Sequence, residues 1–183
     1  KVLVDADYSQ IELRVLAHMA NDTAMCEAFS SGADIHASTA AQVFGMPIDM
    51  VTPLMRSRAK AVNFGIVYGI GDYSLAMDIG VTKKQAGDYI RGYLDTYPGI
   101  DSYLKNTVAD AREKGFVTTL MGRKRYIPEL SSSKKTLVSF GERVAMNSPI
   151  QGTAADIIKL AMINVSRKLK ESGIDARLIL QVH

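Results

Sequence analysis

A single cysteine in 183 residues, Cys26, has no partner for an intramolecular disulfide and fits a reducing compartment. It follows Ala24-Met25 in a helical pattern, the setting of a small core residue and not of a reactive thiol. Long hydrophobic runs are also missing. No stretch approaches the length of a membrane span and no signal-peptide pattern opens the chain, so the expectation is a soluble, cytoplasmic protein with no membrane partner. Low-complexity segments are absent, and 47% of the residues are hydrophobic, enough for the core of one domain or two small ones. Gly65–Gly71, GIVYGIG, is too irregular for a dinucleotide fingerprint and follows a helical pattern instead of a strand. Nor does either charge dominate: a net +3 does not by itself mark a nucleic-acid binder.

The basic residues are clustered, however, as Arg56/Arg58/Lys60, Lys83/Lys84, Arg123/Lys124/Arg125 and Lys134/Lys135. Clustering on a face makes an electrostatic footprint where the total does not; Lys83/Lys84 reads as solvated surface. The first cluster opens the stretch Met55–Gly69, MRSRAKAVNFGIVYG. At 100° per residue this is a helix with two stripes. Met55, Ala59, Val62 and Ile66 form a buried seam, while Arg56, Lys60, Phe64 and Tyr68 climb the opposite side, drifting roughly 40° per step. Two cations followed by two rings suit a ligand with a polyphosphate at one end and a flat base at the other. A solvated face with two half-buried aromatics answers the same spacing.

The pattern R-x-x-x-K-x-x-x-F-G-x-x-Y-G resembles the nucleotide-binding fingers helix, motif B, of family A DNA polymerases, the DNA polymerase I type. Asp7–Arg14, DYSQIELR, resembles their motif A, and Gln181-Val182-His183 resembles the opening of motif C. The motifs stand in family order along the full length. The resemblance implies that Asp7 is one of two carboxylates binding a pair of catalytic Mg²⁺ ions, with the Tyr8 carbonyl completing the shell. The second carboxylate is then expected beyond His183. It further implies that Arg56, Lys60 and His36 hold the triphosphate of a dNTP, and that Phe64 and Tyr68 close over base and sugar. Glu12 would block the sugar 2′ position beside Tyr68, and Gln10 would lie at the nucleotide. Arg14, Arg143, Asn147, Gln151 and His183 would touch template-primer DNA. Asp5 has no matching role.

The residues themselves leave blander alternatives open: Asp7 as a cap, Glu12 as the partner of an N-cap at Ser9, His36 as a structural residue at a helix start capped by Asp34, and Arg143/Asn147/Gln151 as an outward polar face. His18, inside an apolar helix, reads as a core residue.

Alternation makes strands of Val2–Tyr8 and of residues 176–183, paired in one sheet. Helices are expected over about 10–20, 23–31, 34–44, 55–68, 72–79, 82–97, 100–114, 136–148 and 153–171. Pro149 would kink the last pair, with Ile157, Leu160, Ala161, Asn164 and Leu169 toward the inner face. Phe116–Leu120 and Arg125–Ile127 form a hairpin with a basic tip, either meeting phosphate or solvated.

The fold class expected is α+β and mostly helical: a fingers subdomain over 30–128 on a partial palm, 1–29 and 129–183, with a small antiparallel sheet. The function implied is template-directed DNA synthesis by two-metal nucleotidyl transfer of dNTP to a primer 3′-hydroxyl. The full-length protein is expected to be a monomer, and this segment alone to be inactive. The alternative is a non-catalytic, polymerase-like module that only binds DNA or nucleotide.

Overall fold

The computed structural model describes residues 2–182. Among them, α1 (Ile11–Ala20), α2 (Thr23–Ser30) and α3 (Ile35–Phe44) are joined by turns whose acids serve as caps. The Asp22 side chain accepts from the Met25 amide, and that of Asp34 accepts from the His36 and Ala37 amides, satisfying donors that each helix start leaves open. α4 (Pro53–Val67) begins with a Thr52 cap and proline in its first turn, where the missing N–H costs nothing. α5 (Asp72–Ile79) ends at Gly80 with φ of 65°, and α6 (Lys83–Thr96) opens with a Thr82/Gln85 capping box. Pro98 starts α7 (Pro98–Lys114) instead of merely stopping α6.

A hairpin follows, in which β1 (Phe116–Thr118) pairs antiparallel with β2 (Lys124–Tyr126), Val117 opposite Arg125. The chain closes with α8 (Lys135–Glu171), which runs unbroken through Pro149. The expected division into two helices at that proline is corrected. Pro149 lacks the amide to bond back down the helix, yet its own carbonyl accepts from Thr153 Oγ1 at 2.6 Å, and its ring is buried.

One core joins α1–α8 and includes Leu13, Leu16, Met25, Ile35, Val62, Tyr93 and Ile150. A smaller one, Val117, Ile127, Leu130 and Val144 among its members, lies under the hairpin. α4 has the two sides its sequence predicts: Ala59, Val62 and Ile66 are buried, Arg56 and Lys60 exposed, Phe64 half-buried. The fold is α+β and mostly helical, and β1–β2 is the sheet among the described residues.

Several expectations are overturned. Residues 2–8 and 174–182 form no strand; Val2, Leu3 and Val4 are 87%, 87% and 88% exposed. Alternation states which face a strand would bury but supplies no partner, and an unpaired strand has no ladder to hold it. Ser9 does not cap α1. The cap position is Gln10, in the left-handed region with φ of 56° and no side-chain cap bond. His18 is exposed instead of buried, and so are Leu160 and Asn164 on the outer half of α8. At the hairpin tip Arg123 Nε donates to Asp156 Oδ1 at 3.0 Å and an Nη to the Gly152 carbonyl at 3.0 Å, seating the tip on α8.

Candidate nucleotide and DNA interface

The exposed ridge of α4 borders an open groove of about 1060 Å³, lined among others by Lys60, Phe64 and Tyr68 of the ridge, by Arg58 and Asp78, and by Arg143 from α8. The groove therefore joins three cations and two aromatic rings from elements far apart in sequence. That mixture suits an anionic ligand carrying a flat base.

At the start of the ridge, Arg56 Nε donates to Asp34 Oδ2 at 2.7 Å, tying the first turns of α3 and α4 together. Burial pushes the Asp34 carboxyl up, but the Arg56 bond and charge and the two cap amides outweigh it and hold it below its ordinary value. Only one of the guanidinium's five N–H donors is used in that contact. His36, 3% exposed, stands next to Asp34 with its ring centroid 5.9 Å from that of Phe64. Burial pushes its pKa down; the charges of Arg56 and Lys60 add to this, and Asp34 opposes it. The imidazole is consequently neutral at physiological pH.

A second convergence lies at the other end of the ridge. The Tyr68 hydroxyl donates to Glu12 Oε2 at 3.0 Å, and Gln151 of α8 lines the same small cavity as Glu12 and Tyr68. Glu12 is 6% exposed, so its carboxylate serves Tyr68 and not the cap of α1. Two residues before Glu12, Gln10 Nε2 lies 3.4 Å from His36 Nε2. Thus α1, α3, α4 and α8 each send a side chain expected at the nucleotide or the DNA to one neighbourhood.

Arg143 and Asn147 lie on α8, half-buried, in the turns before Gln151. Arg143 donates to Ser139 Oγ at 3.1 Å, and Asn147 Oδ1 accepts from Ser148 Oγ at 3.5 Å. Arg14 is exposed, donates to the Ser9 carbonyl at 3.0 Å and stacks over Phe29 at 4.5 Å.

Asp7 and Tyr8 are exposed on the segment leading into α1. Asp7 lies three positions before Gln10, so its Cα lies within roughly 11 Å of that of Gln10. Among the described residues no group of three His, Cys, Asp or Glu forms a metal cage. Mg²⁺ is commonly held by one or two carboxylates with waters and substrate phosphates, so Asp7 and the Tyr8 carbonyl fit as part of such a shell. His183 lies outside the described residues.

The sequence reading missed Asn63, which is 0% exposed and bonds His36 from within α4. Its signal was available: Asn63 falls four residues after Ala59, a polar residue on a buried stripe. Thr39 and Tyr97, which extend the same network, gave no comparable sign.

The DNA polymerase family A profile matches residues 1–183. The chain is 58% identical over 182 residues to the DNA polymerase I of Caldicellulosiruptor bescii, covering 100% of this chain and 21% of that protein. It is 57% identical over 178 residues to that of Bacillus subtilis, covering 97% and 20%. The chain therefore spans about a fifth of the length of these relatives. Among solved structures it resembles the POL domain of Pol1 from M. smegmatis in complex with DNA primer-template and dNTP: TM-score 0.90, 44% identity, over 96% of this chain and 31% of that one. No helix among the described residues is long and apolar enough to cross a membrane.

Proposed function

The chain belongs to DNA polymerase family A, and from that footing we propose that it selects and positions the nucleotide in template-directed DNA synthesis, with residues 30–128 as fingers and 1–29 and 129–183 as parts of the palm. In this reaction the primer 3′-oxygen attacks the α-phosphorus of a dNTP, the bond to the bridging oxygen breaks, and pyrophosphate leaves. Such catalysis is chiefly positioning and charge neutralisation.

The residues divide that work. Lys60, Arg56 and His36 meet the triphosphate, Lys60 as a point charge and Arg56 through the donors that Asp34 does not engage. Phe64 offers its face to the base. Tyr68, held by Glu12, forms a wall at the sugar; Glu12 beside it excludes a 2′-hydroxyl, and Gln10 lines the same edge. Arg143, Asn147 and Gln151 face the template-primer, where amides can meet the minor-groove acceptors common to all base pairs. Arg14 and His183 belong to the same DNA-facing set. Asp7 and the Tyr8 carbonyl would hold magnesium, which, as a pair of ions completed by a carboxylate beyond His183, supplies Lewis-acid stabilisation of the attacking and leaving oxygens. We place the full-length protein in the cytoplasm as a monomer.

The observation that carries this reading is the convergence on the α4 ridge: Lys60, Phe64 and Tyr68 on one groove, met by Glu12 from α1 and Gln151 from α8. The test grafts the segment into an intact DNA polymerase I. Asp7→Ala should abolish primer extension while template-primer binding persists, and Lys60→Ala should raise the KM for dNTP. Extension unchanged by Asp7→Ala favours the non-catalytic module. The 183 residues alone should extend no primer; a nucleotide-dependent product overturns that expectation.

A further inference from the structure

We propose that Asn63 is a positioning residue whose buried side-chain amide fixes His36 in the Nε2–H tautomer, so that the imidazole faces the ridge as a neutral hydrogen-bond donor. The tautomer rests on the Asn63 amide presenting Nδ2, and not Oδ1, to the ring. That its donor meets a phosphate oxygen of a nucleoside triphosphate rests on the proposed function.

Asn63 belongs to α4 but lies on its buried side, so its amide is spent inside the protein. Nδ2 lies 3.0 Å from His36 Nδ1 and 3.2 Å from Thr39 Oγ1, while Oδ1 accepts from Thr39 Oγ1 at 3.2 Å. Thr39 Oγ1 lies in turn 3.3 Å from the Tyr97 hydroxyl. An amide nitrogen carries two protons and accepts none, so the His36 atom facing it must be the acceptor. A neutral imidazole has one proton, which this bond assigns to Nε2. An imidazolium would have a donor at both nitrogens and would oppose N–H to N–H in a site without solvent.

The opposite edge of the ring requires one adjustment. Gln10 Nε2 is 3.4 Å from His36 Nε2, and a neutral ring cannot accept at both nitrogens. One of the two amides must therefore be turned. The Asn63 bond is shorter and fully enclosed; Gln10 is half-exposed and its contact is at the outer limit of a hydrogen bond. Rotating the Gln10 amide presents Oε1 to Nε2–H and loses little. That donor then points to the edge where α1 meets the ridge, and an incoming acceptor need only displace Gln10.

The charged groups facing the ring agree with a neutral form. Arg56 and Lys60 from α4 oppose protonation, and Asp34 at the start of α3 is largely committed to Arg56 and to the cap. From α1 the neighbour is the uncharged Gln10, and Tyr97, at the junction of α6 and α7, is reached only through Thr39. Neutrality matters for the reaction class. A fixed N–H donor contributes the same bond throughout the range where an ordinary histidine changes charge.

The experiment is ¹⁵N-imidazole NMR on the chain, which holds only three histidines. The expected result is an Nε2–H tautomer for His36 at pH 7 and a titration midpoint below the ordinary histidine value. Asn63→Asp puts an acceptor-only carboxylate against Nδ1, so the proton should move to Nδ1 and the midpoint should rise. A ring found as Nδ1–H or imidazolium at pH 7, a midpoint at the ordinary value, or an Asn63→Asp variant that moves neither signal overturns the inference. In the segment grafted into an intact polymerase, the KM for dNTP should vary little between roughly pH 6 and 8. Asn63→Asp should raise it about tenfold and make it pH-dependent, the scale of one lost hydrogen bond to a charged group. If the NMR result holds but dNTP leaves the His36 signals unmoved, the tautomer stands and the phosphate role assigned to His36 falls.

Discussion

The hydroxyl of Tyr68 donates a 3.0 Å hydrogen bond to the carboxylate of Glu12, joining the end of α4 to the first turn of α1 across 56 residues of sequence. Burial raises the Tyr68 pKa, the charge and bond of Glu12 raise it further, and Gln151 only partly opposes them. The phenol is a neutral donor at any physiological pH, aimed at an acid that is 6% exposed.

Removing that donor should be costly because the acid stays behind. Tyr68→Phe keeps the ring but leaves a buried carboxylate short of a partner, for which the usual penalty is about 1–3 kcal/mol. Tyr68→Phe combined with Glu12→Ala removes both members, so the pair should couple, the double variant losing less than the sum of the singles. Urea denaturation of the four proteins measures this. Additivity within error would show that the bond contributes nothing to stability.

Stability should fall with acid in two separate windows. His36 has a folded pKa below its ordinary 6.5, so beneath that value the unfolded chain takes up a proton that the folded chain refuses. Stability therefore declines from about pH 6.5 until the lower folded pKa is reached, where the loss stops growing. Asp34 is also depressed, below 3.8, as its bonds to Arg56 and the cap amides outweigh burial. Its contribution is intact above that value and is lost as pH falls through the folded pKa. Unfolding free energies across pH should show both declines. His36→Gln should erase the upper one and Asp34→Asn the lower one; a His36→Gln profile superimposable on the wild type would refute the assignment.

Periodicity carried the helices because an amphipathic helix writes its own burial pattern, as Ala59, Val62 and Ile66 do opposite Arg56 and Lys60. Alternation over residues 2–8 failed because a strand depends on a neighbour that the local sequence does not contain. The Ser9–Glu12 spacing matches a capping box, yet Glu12 is taken by Tyr68, a tertiary partner that local spacing cannot announce. The same limit hid the bond from Arg56 to Asp34. The ridge was legible as a list of side chains; what fixes each of them was not. Asn63, Thr39 and Tyr97 come together only when α3, α4 and the end of α6 are packed.

The seat of the hairpin on α8 turns on one glycine. A Cβ at Gly152 would lie 2.5 Å from Thr119 Cγ2, well inside van der Waals contact. Thr119 cannot swing away cheaply. Its Oγ1 donates to Asp156 Oδ2 at 2.8 Å and accepts from the Arg123 amide at 3.2 Å. Beside it, the Leu120 amide donates to Thr153 Oγ1 at 2.9 Å, and Arg123 reaches the Gly152 carbonyl. Alanine in place of a helical glycine normally gains about 0.5–1 kcal/mol, but overpacking of this kind costs about 1–3 kcal/mol. Gly152→Ala should therefore lower the melting temperature. Gly87→Ala in α6 is the control: its Cβ would meet nothing nearer than an Arg91 Nη at 3.6 Å, so the propensity gain should stand and the melting temperature should rise. Thermal unfolding of the two variants decides the matter, since shifts of the same sign would mean that the hairpin tip does not rest on α8 at this glycine.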